Sequence, residues 1–419
     1  MKFRNARPAA SRGYAAATKV HPHGGAWASG LRRALEGFSG KSVSSLERMV
    51  KRGRYSELRR RVTRRAMQPL FRTGDARLTS AADLSGADIR RILICRPNHR
   101  LGNLLLLTPL VTEIQRLFPK ADIDIVLAGE HVAELFQEFP NIRRIHNLSR
   151  RMVRHPIELA RIAMQIRWAR YDLAIDPCEA SQSSRLLVAV ANPRFAIGAP
   201  RSRSPVGPAL TWMEQAPVHM AQWPVHLLRG VMNPQSPALE FPNLDIRLSE
   251  EERQHARAQL EQAINVKDGS RALRIIGIFA AATGAKACGK EWWQSFLDVV
   301  RTRHPDAAIV EIVPADGQPH LGLPSFGSLS PRKVAAVIAN MTCFVSADCG
   351  VMHLASAAGV PTIGLFKASD SLKYAPYGHG SQAFDINGKS PEDVAEWASM
   401  LIEMLPAEPV AGPPGQPTR

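Results

Sequence analysis

The chain has 419 residues, 45% of them hydrophobic and 22% charged, which is enough for two domains plus an extension and excludes a disordered polymer. No run approaches the roughly 20 apolar residues of a membrane-spanning helix, and residues 1–31 lack the apolar segment of a secretory signal. The net charge of +17 is localised, since residues 1–72 hold 18 Lys/Arg against three Glu, whereas the remaining 347 hold 36 against 34 Asp/Glu. The near-neutral body and the absence of a nucleic-acid motif exclude nucleic acid as an expected partner. Cys95, Cys178, Cys288, Cys343 and Cys349 form neither a C-x-x-C pair nor a zinc spacing, so reduced thiols and a cytoplasmic location are expected.

Residues 1–85 read as an appended basic extension, disordered at first and then a possible amphipathic helix from Ser42 to Phe71. Such a helix suits an anionic membrane surface. A solvated basic arm packed on its own domain is an equal alternative, and an organelle transit peptide a lesser one. After Ala87 short apolar strands alternate with helices. Strands are expected at Arg91–Arg96, Asp122–Ala128, Arg144–Leu148, Asp172–Ile175 and Phe195–Gly198. Helices are expected at Leu104–Phe118, Val132–Phe139, 157–170 and 182–190. This alternation predicts a parallel sheet covered on both faces, a Rossmann-like domain over 86–245.

A Pro-rich connection spans 233–243, and Ser249 with Glu252 forms a capping box opening a helix to about Ile264. A second α/β series over 246–390 carries strands at Leu273–Phe279, Ala308–Val313, Cys343–Ala347 and Thr362–Phe366. Its helices are placed at Glu291–Arg303, Pro331–Ala339 and Gly350–Ala358. A final helix, Pro391–Met404, and a disordered Pro/Gly tail complete the chain over 391–419. Two α/β halves predict a bilobed molecule with ligands in the central cleft.

Three segments carry chemistry. In Ser346-Ala-Asp348-Cys-Gly350-Val351-Met-His353 a strand runs into a glycine turn and a helix start, whose free N–H groups suit phosphate. The plainer reading makes Asp348 an ordinary helix cap. In Thr283-Gly284-Ala-Lys286, a hydroxyl and an ammonium on a glycine loop suit a departing diphosphate, with Trp292 and Trp293 as packing residues. In Arg96-Pro-Asn98-His99-Arg100-Leu-Gly102-Asn103, polar residues open the first helix, with Asn103 as a good cap.

In this order and spacing, the segments resemble glycosyltransferase family 9, the ADP-heptose:lipopolysaccharide heptosyltransferase family. The resemblance covers residues 90–380 and includes Leu105–Pro109, Tyr171–Asp176, Asp348–Ala355 and Phe366–Ser371. It implies the GT-B architecture, two Rossmann-like domains facing a cleft, and an inverting transfer that needs no metal and no cofactor beyond the nucleotide-sugar donor. It also implies a peripheral position on the cytosolic face of the inner membrane. Thr283, Gly284, Lys286, Asp348, Gly350, Val351 and His353 would serve the donor, most simply ADP-heptose; Arg100, Gly102 and Arg185 would serve a lipid-linked glycan acceptor.

Asn103 departs from the family, whose better-known members have an Asp general base there. Asn103 cannot take the proton at neutral pH. It could orient the acceptor while His99, Glu179 or Asp176 acts as base beside the catalytic Lys286, or the chain could bind nucleotide or glycan without transferring. The segment between Val313 and Leu329 is also short, which puts the family's nucleotide-ribose contact in question.

Overall fold

A computed structural model describes residues 84, 87–129, 131–149, 156–179, 181–198, 216–232, 240–264, 274–314 and 317–406. The amphipathic helix expected over 42–71, most of the Pro-rich connection and the C-terminal tail lie outside these residues.

The N-terminal sheet holds β1 (Arg91–Cys95), β2 (Asp122–Ala128), β3 (Ile142–Leu148), β4 (Leu173–Ile175) and β5 (Phe195–Ile197), in the order β3-β2-β1-β4-β5. All its pairings are parallel. Strands covered on both faces can be apolar throughout, and β1 reads RILIC with its last four residues buried. One face is covered by α1 (Leu101–Leu105) and α2 (Thr108–Leu117), the other by α3 (Pro156–Trp168) and α4 (Gln182–Ala191). A further helix, α5 (Gln222–Met232), packs on α2.

The C-terminal sheet repeats the plan. Its strands are β6 (Ile275–Phe279), β7 (Ala308–Ile312), β8 (Ser325–Phe326), β9 (Cys343–Ala347), β10 (Thr362–Phe366) and β11 (Gln382–Asp385), in the order β11-β10-β9-β6-β7-β8 and all parallel. Helix α6 (Glu250–Ala263) begins in the expected capping box, with Ser249 and Glu252 bonded in both directions. After it come α7 (Lys290–Arg303), α8 (Pro331–Ile338), α9 (Gly350–Ala357), α10 (Ser371–Tyr374) and α11 (Pro391–Glu403). Helix α11 lies against α7 over a core that includes Trp293 and Phe296, as a packing role for Trp293 requires.

Several expectations are corrected. The helix expected over 104–118 is two, because Pro109 has no N–H for the Leu105 carbonyl, which accepts instead from the Thr108 hydroxyl at 2.8 Å. Asn103 therefore lies inside α1, whose cap position is Arg100, and is not a cap. The helix expected at 132–139 is a single 3₁₀ turn, Ala133–Phe136. Helix α9 is capped by Cys349 in extended conformation, not by Asp348. Helices α5 and α10 and strands β8 and β11 carried no sequence expectation. Gly359 follows the last turn of α9 and closes it, with φ +86°.

Candidate active site

In an open parallel sheet, the crevice lies beyond the C-terminal strand ends where the order of connection reverses. In the N-terminal sheet that point lies between β1 and β4, and in the C-terminal sheet between β6 and β9. The four loops that leave these strands carry nearly every residue singled out from the sequence.

On the C-terminal side, β6 ends in a loop whose 3₁₀ turn Gly284–Lys286 is preceded by the exposed Thr283. Gly284 takes φ +65° with open space around it, a conformation most residues resist. Lys286 Nζ reaches to 2.8 Å from Asp348 Oδ2 at the end of β9. The approach is an ion pair by distance but lacks hydrogen-bond geometry, so Asp348 Oδ2 has no directed donor. Lys286 is partly exposed and Asp348 buried, which leaves the ammonium facing the open side. Helix α9 starts beside them with no side-chain cap on its first N–H groups, and Gly350 and Val351 are half-buried in its first turn. Its positive end and Lys286 together favour an anion.

His353, one turn into α9, is buried; burial first, and then the neighbouring His219 and Lys286, push its imidazole down to about 4 against the pull of Asp348. It is neutral at physiological pH. His219 is fixed by its contact with the Ala375 carbonyl at 3.0 Å and by the Ala221 N–H at 3.2 Å, and its ring lies on Tyr377.

On the N-terminal side, β1 delivers Arg96, His99 and Arg100, with His99 and Arg100 exposed and Asn103 half-buried in α1. Strand β4 delivers Asp176, Cys178 and Glu179. Asp176 is 4% exposed, accepts from the Cys178 N–H at 3.1 Å through Oδ1, and has Arg185 Nε 3.9 Å from Oδ2. Burial outweighs these partners and raises its carboxyl to about 6. Arg185 also donates to the Glu179 carbonyl at 3.3 Å, while the Glu179 carboxylate is exposed.

The two sides meet where α1 touches α9. A β-carbon on Gly102 would lie 2.8 Å from His353 Cδ2 and 3.3 Å from Gly350 Cα; one on Gly350 would lie 3.0 Å from Leu101 Cβ. The two glycines therefore bring the first and third segments into contact across the cleft. The structure joins Lys286 to Asp348, Gly102 to Gly350 and His353, and Arg185 to Asp176. No direct interaction ties His99 or Arg100 to the Lys286–Asp348 pair. The sequence reading missed three neighbours: Cys178, whose Sγ accepts from Arg96 at 2.7 Å; Arg96 itself as a site residue; and His219. Asp122-Ile-Asp124 has an Asp-x-Asp spacing but lies within β2, where buried Asp124 accepts from Tyr171 and Arg143 at 2.7 Å each. Among the described residues no cluster of three His, Cys, Asp or Glu could hold a metal.

A family model described as glycosyltransferase family 9 (heptosyltransferase) matches residues 159–398, more than half of the sequence. The chain belongs to glycosyltransferase family 9. It is a glycosyltransferase, and its two facing parallel sheets are the GT-B fold. A family 9 glycosyltransferase from Veillonella parvula DSM 2008 superposes with TM-score 0.60 at 16% identity, covering 76% of this chain and 99% of that one. The ADP-heptose lps heptosyltransferase II of E. coli gives 0.57 at 17% identity, covering 75% and 99%. E. coli heptosyltransferase WaaC with ADP gives 0.55 at 18%, again covering 75% and 99%. At these identities the likeness speaks for the fold. The search of curated proteins finds no match.

Proposed function

We propose that this family 9 glycosyltransferase moves a heptose from ADP-heptose, with inversion and without a metal, to a hydroxyl of a lipid-linked glycan of the lipopolysaccharide type. The observation that carries this reading is the meeting of the two sheet switch points, which sets a Lys286- and helix-end anion site against the Arg96–Asn103 loop. The E. coli relatives, with ADP or ADP-heptose in their descriptions, support the choice of donor.

In the transfer, an acceptor hydroxyl attacks the anomeric carbon from the face opposite the diphosphate. The new C–O bond forms as the bond to the diphosphate oxygen breaks. Lys286 and the first N–H groups of α9 take up the charge developing on that oxygen, with Thr283 and the Gly284 turn lining the same anion. The released proton needs a base. Asn103 has no basic site, and of the remaining candidates Asp176 is favoured. Its Oδ2 is buried without a hydrogen-bond donor, and its raised pKa suits proton uptake near neutral pH. His99 and Glu179 are exposed and less constrained. Arg100, Gly102 and Arg185 belong to the acceptor side, and the basic N-terminal segment to an anionic membrane.

Calorimetric titration without added metal tests the donor, using ADP-heptose, ADP, and UDP- and GDP-sugars. ADP-heptose should bind most tightly, and Lys286→Ala should weaken it by about ten- to a hundredfold. Preference for another nucleotide would replace the donor and keep the transferase. Nucleotide binding without turnover on any glycan acceptor would favour the alternative, a GT-B protein that binds but no longer transfers.

A further inference from the structure

Among the described residues, helix α3 presents an outer face that no other element covers. Its inner side buries Ile162 and Ile166 against β1 and β2. Its outer side exposes Ile157 by 85%, Met164 by 47% and Trp168 by 74%, three of the eight large apolar side chains exposed among the described residues. Spaced seven and four residues apart, they fall within about 40° of one another around the helix. Arg161 stands on one edge of this stripe and Arg167 on the opposite flank, while Arg170 follows the end of the helix with φ +53°, all exposed. None of the three enters an ion pair among the described residues. Glu158 is the one acidic residue of α3.

Scattered apolar residues are normal on a protein surface, but a line of three bordered by arginines that make no ion pair among the described residues is not. Two kinds of partner could cover it. A second copy of this chain would bring the same arginines face to face, a like-charge juxtaposition that opposes pairing. An anionic bilayer meets both features: the aliphatic and indole groups enter the headgroup–acyl boundary while the guanidinium groups stay at the phosphates. Tryptophan suits that boundary because its ring is apolar and its N–H polar.

We infer that the outer face of α3, through Ile157, Met164 and Trp168 with Arg161 and Arg167 on its flanks and Arg170 just past its end, docks this enzyme on an anionic lipid surface. The docking belongs to the folded N-terminal lobe and is separate from whatever the basic N-terminal segment does. It depends on neither the donor nor the acceptor proposed above.

The test is cosedimentation of the full chain with vesicles of phosphatidylglycerol and phosphatidylcholine, and with phosphatidylcholine alone, over a range of salt. The unaltered chain should bind the anionic vesicles. A variant carrying Ile157→Ser, Met164→Ser and Trp168→Ser should bind them at least about tenfold more weakly, since the apolar area entering the boundary sets the strength. Replacing Arg161, Arg167 and Arg170 by Gln should lessen the salt dependence. Brominated acyl chains should quench part of the protein's tryptophan fluorescence, and Trp168→Phe should remove that part.

Vesicle binding that is unchanged in the serine variant would overturn the inference and leave the N-terminal segment as the membrane contact. Quenching that is unchanged in Trp168→Phe would also overturn it. So would dimers in light scattering without vesicles that the serine variant abolishes, because they would assign the face to a second copy. Nucleotide binding measured on the same variants should stay unchanged, which separates failure of docking from failure of the transferase reading.

Discussion

Asp176 is a carboxylate held where water scarcely reaches it, at the end of a strand whose three residues are all buried. Its pKa is raised from 3.8 to about 6 by burial, which wins over the Cys178 N–H and Arg185. The folded protein therefore binds this proton more tightly than the unfolded chain between these two values. The group's contribution is most favourable at low pH and declines as pH rises through about 6, leaving a cost of at most about 3 kcal/mol at neutral pH. Asp176→Asn should thus raise the midpoint of thermal unfolding at pH 8 more than at pH 4. If the carboxylate is the base, the same change should lower kcat by at least about a hundredfold and remove an activity limb rising near pH 6. Activity within a fewfold of the parent would return the base role to His99 or Glu179. The residue type at the strand end was readable in the sequence, and so was the problem posed by Asn103. The surroundings were not, because Arg96 and Cys178 meet across 82 positions of chain.

Helices α2 and α5 are joined by Glu113, which is 1% exposed yet ionised. Burial pushes its carboxyl up, but hydrogen bonds from Arg229 and Arg116 more than compensate and hold it below its usual value. Arg229 binds it in a fork, at 2.9 Å through Nε and 3.0 Å through Nη2. Glu113→Ala would remove the carboxylate that Arg229 and Arg116 share, leave Arg229 with the Glu240 carbonyl and the Phe241 ring, and should cost about 3 kcal/mol, measurable by urea unfolding. Glu113→Gln, which keeps the shape and part of the bonding, should cost less. At this scale the sequence was most legible where helices follow simple rules. The capping box at Ser249 and the ends of α2 at Phe118 and of α9 at Ala358 are local chemistry and appear where expected. Helix α5 was not legible, because Pro224 and Gly230 interrupt its pattern and only packing on α2 makes the helix worthwhile. Strand β8 has two residues and exists by pairing with β7, a partner that no local pattern announces.

The two α/β lobes are tied together at several places, the His219 contact with Ala375 and the bond from the Met220 N–H to the Lys373 carbonyl among them. One is the Gly102–Gly350 contact. At another, the Ser330 hydroxyl donates to Glu134 at 2.6 Å, beside buried Arg332 of α8, which bonds Glu252 and the Ile246 and Arg247 carbonyls within the C-terminal lobe. Both lie within elements whose existence the sequence made plain, but their meeting was implied only by resemblance to the family. Gly102→Ala and Gly350→Ala should each destabilise by about 1–3 kcal/mol and reduce kcat/KM, read by thermal unfolding and initial rates. Alanine at either position with parental stability and rate would show that the lobes part freely there.

The same contact sets how this enzyme can change over generations. Steric damage in a protein core is often repaired by shrinking the neighbour, and here the nearest neighbours of the two glycines are the ring of His353, a site residue, and the β-carbon of Leu101. A methyl on Gly102 could be relieved only by shrinking His353, and one on Gly350 by no residue at 101 that keeps a β-carbon, so the double alanine variant should fare no better than the worse single one. Randomising both codons together and selecting for transfer should return glycine at both, a ratchet with a single tooth on each side of the cleft.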